Sequence, residues 1–141
     1  MNANEIYLEL HVPDFEVTKD FYSKLGFSVV WEREPEGFKG YLVMKRDKSI
    51  LCFWGGNQEI FNHEHFKNYA HDTKRGYGVE IVLPVSNLEE VHEQAKTFAT
   101  IVEPPMLRPW GLKDFRIVDP FGYYIRITDH HDILDSHWAV T

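Results

Sequence analysis

The first residues to weigh are those whose side chains could pair with a charge or do chemistry. Arg126 stands in the alternating stretch "YYIRI" (123–127), where it shares one strand face with Tyr124 while the isoleucines share the other. An arginine flanked by core aliphatic residues must reach water or meet an anionic partner. The preceding "DPFG" (119–122) predicts a tight turn, because proline fixes one φ and glycine accepts a positive φ. The stretch therefore raises the question of what Arg126 faces.

The sequence offers one candidate nucleophile, Cys52, and one closely spaced pair of histidines that could be considered as metal ligands. Cys52 is the only thiol and lies in the apolar stretch "ILCFW", where a buried cysteine behaves as a small hydrophobic side chain. His63 and His65 are two residues apart in a segment without a strand pattern, whereas ligand pairs on a helix are four apart. We interpret them as loop histidines. The sequence also contains no Ser-His-Asp signature, phosphate-binding loop or dinucleotide fingerprint.

The N-terminal stretch "EIYLELHV" (5–12) predicts a strand that carries polar residues on one face. Tyr7, Glu9 and His11 alternate with aliphatic residues, so they share that face. We expect His11 to make an ordinary hydrogen bond or to line a pocket. The three histidines of the acidic C-terminal tail (129–141) are expected to be solvated: His130, His131 and His137.

Composition restricts the class of protein. The chain has 141 residues, one cysteine and a formal net charge of −7, which fits one globular domain in a reducing, cytoplasmic compartment. The acidic balance argues against nucleic acid as a partner and is compatible with a cationic ligand. Since no apolar run approaches a membrane span and the N-terminus lacks a signal-peptide pattern, we expect no membrane association.

The elements that must position these residues form one pattern, β-α-β-β-β, that occurs twice. Asp14 is the predicted N-cap of the first helix and Gly26 its stop, and Asn87 with Glu90 resembles a capping box for the second. Residues 12–16 align with residues 85–89 as a weak internal repeat. Strands are predicted at 5–12, 27–34, 40–46, 49–55, 78–85, 100–103, 113–118 and 122–128, with 56–76 as a linker that includes at most a short helix and "VEPPM" and "RPWG" as loops.

Three stretches together are similar to the vicinal oxygen chelate superfamily, which includes glyoxalases, extradiol dioxygenases and bleomycin-resistance proteins. They are "FYSKLGF" (21–27), "VEIVLPVSNLEEV" (79–91) and "PWGLKDFRIVDPFGYYIRI" (109–127). The resemblance implies an α+β fold of two βαβββ modules, at about 5–55 and 77–128 within a single domain 1–141, that form a U-shaped cup. It also implies modules paired or swapped between the subunits of a homodimer.

The resemblance maps the usual metal-ligand positions of this superfamily onto Tyr7, Cys52, Glu80 and Arg126. Of these, only Glu80 is an ordinary ligand for a hard or borderline divalent metal, and Arg126 is permanently cationic. We therefore expect no metal, no cofactor and no catalytic residue. We also expect Arg126 to pair with Glu80 across the pseudo-twofold axis of the two modules. A shifted metal site made from Glu9, His11 and Glu80 remains a conceivable alternative.

The chain most resembles the metal-free, bleomycin-resistance branch, which implies a protein that sequesters a cationic or aromatic ligand in a dimer-interface cleft. Flat aromatic walls with a few acids suit such a ligand through stacking and cation–π contact. Trp110 is the first candidate, because a tryptophan before glycine in a loop is difficult to explain by core packing. The predicted ligand-binding residues are Trp31, Phe38, Tyr41, Trp54, Trp110, Tyr124, Glu9, His11, Glu80 and Arg126.

Two other functions stay open at this stage. One is a metal-dependent enzyme of the same superfamily, a glyoxalase-like isomerase or a ring-cleaving dioxygenase, with a degenerate or shifted metal site. The other is a regulatory or scaffold protein that uses its dimer surface and has an empty or lipid-like cleft. The segments "EPEGFKGY" and 56–75 have no position-by-position match in the bleomycin-resistance branch, so the ligand need not be bleomycin itself.

Overall fold

The computed structural model describes residues 6–135, in which the βαβββ pattern occurs twice. The chain divides into two compact units, Met1–Thr73 and Lys74–Thr141. The first contains β1 (Glu9–Val12), α1 (Phe15–Lys24), β2 (Ser28–Arg33), β3 (Tyr41–Arg46) and β4 (Ser49–Gly55), and the second contains β5 (Glu80–Val85), α2 (Leu88–Ala95), β6 (Thr100–Leu107), β7 (Lys113–Val118) and β8 (Tyr124–Asp129). The α+β class and the two modules predicted from the sequence are confirmed.

The first sheet has the order β1-β4-β3-β2, with β1 parallel to β4 and the other pairs antiparallel. Its core face packs on α1, where the rings of Tyr22 and Phe53 lie 5.1 Å apart. Leu42 and Met44 complete this buried layer. Because side chains alternate along a strand, the opposite face carries the residues of the other parity, among them Glu9 and Cys52, which are register partners.

Helix α1 begins where the sequence predicts. The side chain of Asp14 accepts a hydrogen bond of 3.1 Å from the backbone N–H of Val17, which satisfies one of the unpaired donors at the helix start. Gly26 follows the helix with a φ of +91°, a conformation that glycine adopts without a steric penalty.

The second sheet has the order β5-β8-β7-β6, again with one parallel pair, β5 with β8. Its core face contains Ile125, Ile127 and Phe115, and the last of these lies 5.0 Å from the ring of His92 on α2. The capping box predicted for α2 is wrong in detail. Asn87 makes no side-chain bond to the helix backbone and instead donates to Oε2 of Glu90 at 3.2 Å.

A proline-containing segment of the second unit differs from its sequence-based assignment. "VEPPM" was expected to be a loop, yet it lies inside β6, which runs to Leu107. Prolines are tolerated there because β6 is an edge strand whose pairing with β7 shifts register twice, between Ile101 and Glu103 and between Glu103 and Met106. The linker contains two short 3₁₀ helices, Glu59–Asn62 and Phe66–Asn68.

The termini of the chain are described only in part. Within residues 6–135, no helix is long and apolar enough to cross a membrane. His131 lies with its Nδ1 3.0 Å from the carbonyl oxygen of Asp129, whereas His137 is outside the described residues.

Candidate functional site

The open face of the first sheet contains a cavity of about 490 Å³, a size typical of small-molecule sites. All four strands of this sheet or the residues next to them contribute to its wall. Strand alternation explains why these residues share one face. One row of register partners crosses the sheet from β1 to β2 and consists of Glu9, Cys52, Val43 and Trp31. The lining residues are Tyr7, Glu9, Trp31, Arg33, Tyr41, Val43, Ile50 and Cys52.

Trp31 and Tyr41 form an aromatic wall of this cavity. Their rings stack with centroids 5.4 Å apart and planes 23° apart, and Trp31 is 48% exposed. The hydroxyl of Tyr41 donates a hydrogen bond to Oε2 of Glu9. Burial first, and then the bonds to Glu9 and Cys52, raise the pKa of Tyr41 above its ordinary value. The phenol therefore remains a neutral donor that holds the Glu9 carboxylate at the cavity wall.

A second aromatic cluster lies farther along the same sheet face. The rings of His11 and Trp54 meet edge to face with their centroids 4.8 Å apart, and the ring centroid of Phe38 lies 6.3 Å from that of Trp54. The linker adds His63, at 5.4 Å from Trp54, and Phe66, at 6.3 Å and nearly parallel to it. The interpretation of His63 as a plain loop residue missed this contact, since its aromatic neighbours come from distant strands.

Gly55 allows His11 to approach β4 closely. It has a φ of +90°, and a Cβ at this position would lie 2.6 Å from Cδ2 of His11. Any side chain at residue 55 would therefore displace the imidazole. The predicted site residues of the first unit thus fall into two neighbouring groups, the cavity with Glu9, Trp31 and Tyr41 and the cluster around Trp54.

In the second unit, Arg126 pairs with Glu80. Nε of Arg126 lies 3.4 Å from Oε1 of Glu80, and the guanidinium carbon lies 5.8 Å from the ring centroid of Trp110. The predicted pair is confirmed, but its expected position across a pseudo-twofold axis is wrong. Both residues lie on neighbouring parallel strands of one sheet, where Glu80 is the register partner of Tyr124. The Arg126 side chain is 25% exposed and that of Glu80 37%.

Sequence reasoning missed a larger charged network on the same sheet face. Asp114 is fully buried, and its Oδ1 accepts from Nε of Arg108 at 2.9 Å and from Nε of Arg116 at 3.4 Å. Arg108 also binds Glu103 at 2.5 Å, and Arg116 donates to the hydroxyl of Tyr124 at 3.3 Å. Strand alternation over 113–118 could have predicted that Asp114 and Arg116 share one face. The contact with Glu103 could not be predicted, because it depends on the register shifts of β6.

The charges of this network balance one another. Desolvation acts to lower the pKa of Arg116, yet its bonds to Tyr124 and Asp114 raise it overall. Each of the three arginines on this face has a carboxylate within 4 Å: Arg108, Arg116 and Arg126. The arrangement is suited to holding the sheet face rigid.

The residues at the family's metal positions do not fit a divalent metal. Tyr7 and Cys52 offer a phenol and a thiol on the wall of the cavity, while Arg126 adds a fixed positive charge beside Glu80. Within residues 6–135, no group of three or more His, Cys, Asp or Glu side chains converges in a way that could hold an ion. Glu9 and His11 lie in the first unit and Glu80 in the second.

A two-sheet fold of repeated βαβββ modules with an open aromatic face defines the class of protein, and comparison with known proteins identifies its family. Residues 6–127 match the Glyoxalase/Bleomycin resistance protein/Dioxygenase superfamily. The chain belongs to this superfamily. Among curated proteins, no sequence matches the chain significantly.

Several solved structures share the fold at low sequence identity. A bleomycin-binding protein in complex with bleomycin is 22% identical, with 92% of this chain and 100% of that chain covered and a TM-score of 0.60. A bleomycin resistance determinant encoded on the transposon Tn5 is 21% identical, with the same coverage and a TM-score of 0.61. TioX from Micromonospora sp. ML1 is 19% identical, again with 92% of this chain and 100% of that chain covered, and has a TM-score of 0.68.

Proposed function

We propose that the protein is a metal-independent binding protein that sequesters a cationic or aromatic small molecule. The observation that carries the proposal is the cavity of about 490 Å³ on the first sheet, where the stacked Trp31 and Tyr41 lie beside the Glu9 carboxylate. Aromatic faces and an anion attract a planar cation, and the cation–π contribution grows as the ligand is desolvated.

The chemistry at the family's metal positions supports binding over catalysis. A metal-dependent reaction of this superfamily needs several oxygen or nitrogen donors around one ion and an open position for substrate. This chain has a phenol, a thiol and an arginine at three of the four positions, and its fourth, Glu80, is paired with Arg126. On the cavity wall, the Glu9 carboxylate accepts a hydrogen bond from the neutral Tyr41 hydroxyl, and Cys52 is a buried thiol.

The bleomycin-binding protein and the Tn5 resistance determinant suggest a first ligand to test. Bleomycin titrated into the purified protein should quench tryptophan fluorescence and release heat at tens of micromolar or below. Trp31→Ala should weaken binding about tenfold or more, because it removes half of the aromatic wall. Phe66→Ala is the matched control, since it removes an aromatic ring that is absent from the cavity wall.

Two outcomes would contradict the proposal. Absence of quenching and of heat would exclude bleomycin as the ligand, and the same result with smaller aromatic cations would remove the proposed function itself. A stoichiometric divalent metal in the purified protein that is lost in Glu80→Ala would instead favour a metal-dependent enzyme.

The homodimer is part of the same proposal. Light scattering on the eluting protein should give twice the monomer mass of 16.6 kDa. A monomer that still binds the ligand would show that one chain is sufficient and would remove the dimer-interface cleft from the proposal.

A further inference from the structure

The cavity of the first sheet is lined by one cationic and one anionic side chain, Arg33 and Glu9. Within residues 6–135, neither has an oppositely charged group within 4 Å. Nε of Arg33 donates to the backbone carbonyl of Lys39, and its terminal nitrogens make no bond to the described chain. Glu9 accepts a hydrogen bond from the Tyr41 hydroxyl at Oε2, and its Oε1 makes no hydrogen bond within the described part of the chain. The three arginines of the second sheet face, by contrast, all have carboxylate partners.

The two charges lie at opposite edges of the cavity. Glu9 is on β1 and Arg33 on β2, the two edge strands of the sheet. Across the sheet Arg33 is level with His11, two residues along β1 from Glu9. Three inter-strand spacings of about 4.8 Å and this offset of about 7 Å put the two backbones about 16 Å apart. Tyr41, on β3, lies between these edge strands, and Trp31 stacks on its ring from β2. From one edge of the sheet to the other, the cavity wall therefore presents the Glu9 carboxylate, then Tyr41, and then Trp31 with Arg33.

Both charged groups are held by the chain itself. The Tyr41 hydroxyl fixes the Glu9 carboxylate, and the Lys39 carbonyl fixes the Arg33 guanidinium while leaving its terminal N–H groups as donors. Such donors match the two oxygens of a carboxylate, and charge-assisted bonds of this kind are stronger than neutral ones. Pre-positioned side chains also lose less conformational entropy when a ligand binds.

We propose that this cavity selects an aromatic zwitterion, with its ammonium group at Glu9 and its carboxylate at Arg33. The inference rests on the proposed binding function and adds the anionic group to the ligand. An aromatic compound with the two charges at opposite ends would satisfy both residues at once. A cation without the anionic group would leave Arg33 without a partner.

A biphenyl series tests this on the full-length protein by calorimetry. The probes are an aminomethyl-biphenyl-carboxylate with its charged groups at opposite ends, the aminomethylbiphenyl and the biphenylcarboxylate. The zwitterion should bind the wild type at least about tenfold more tightly than either singly charged probe. In Arg33→Gln, the zwitterion should bind no more tightly than the cation. The cation's own affinity should stay within about twofold of its wild-type value, which would show that the cavity is intact. In Glu9→Gln, the zwitterion should bind no more tightly than the anion, the biphenylcarboxylate.

Lys24→Gln is the matched control, because it removes one positive charge from α1, which packs on the other face of the sheet. It should leave all three affinities unchanged. Equal affinities of zwitterion and cation in the wild type, or an equal loss for both in Arg33→Gln, would overturn the inference and leave the proposed function standing. Binding of none of the three probes, together with no binding of bleomycin, would overturn the proposed function as well.

Discussion

Arg126 lies 3.4 Å from Glu80 and also faces the ring of Trp110, so one guanidinium has both an anionic and an aromatic neighbour. The pair is partly exposed, and Nε of Arg126 makes no hydrogen bond within the described part of the chain. An ion pair of this kind adds little to stability, because water screens it and the two side chains lose entropy when ordered.

The contribution of the Arg126–Glu80 pair can be measured with a double-mutant cycle of Arg126→Met and Glu80→Gln. We expect a coupling free energy below about 1 kcal/mol. Arg126→Met alone should cost about 1 kcal/mol of unfolding free energy in urea, because it also removes the cation–π contact with Trp110. A coupling free energy above about 2 kcal/mol would contradict the description of the pair as partly exposed and would indicate that the two side chains are shielded from water.

The Arg108–Asp114 pair should contribute more to stability, because Asp114 is fully buried. Arg108→Met leaves that carboxylate with only the longer contact to Arg116, and we expect a loss of about 2–3 kcal/mol in unfolding free energy. Lys113→Met is the control, since it breaks an exposed pair with Glu89 and should cost less than about 1 kcal/mol. Equal losses in the two variants would refute the role of burial.

Stability should fall at alkaline pH through Tyr41. Its pKa in the folded protein is raised, so the folded state holds the phenolic proton more tightly than the unfolded chain does. The corresponding stabilisation is fully present below the unfolded value of about 10 and is lost as the pH rises above it. Urea unfolding of the wild type should therefore weaken more steeply between about pH 9 and 11 than that of Tyr41→Phe. Parallel pH profiles of the two proteins would exclude this linkage.

The two helix N-termini should respond differently to removal of their capping side chains. Asp14→Ala deletes a hydrogen bond to the backbone of α1 and should cost about 1 kcal/mol. Asn87→Ala deletes only a contact between exposed side chains and should cost a few tenths of a kcal/mol. Thermal unfolding of both variants tests the difference, and a larger loss for Asn87→Ala would show that its side chain caps α2 in solution.

The sequence predicted the elements wherever a local rule decided them. Strands 49–55 and 113–118, the cap at Asp14 and the face shared by Tyr124 and Arg126 are all confirmed, because alternation and turn chemistry act over a few residues. "VEPPM" was assigned to a loop because prolines usually end a strand, and only the sheet order showed that β6 is an edge strand in which they are tolerated.

The sequence by itself determined the superfamily, the two βαβββ modules and the types of residue on each strand face, since these depend on motifs and on a period of two residues. Only the tertiary structure decided which side chains meet. Glu9 and Tyr41 are 32 positions apart in the sequence, and they form a hydrogen bond because the sheet order places their strands, β1 and β3, on either side of β4. Arg33 lies at the same cavity because β2 pairs with β3. Strand order and register set these distances, and neither can be read from local sequence.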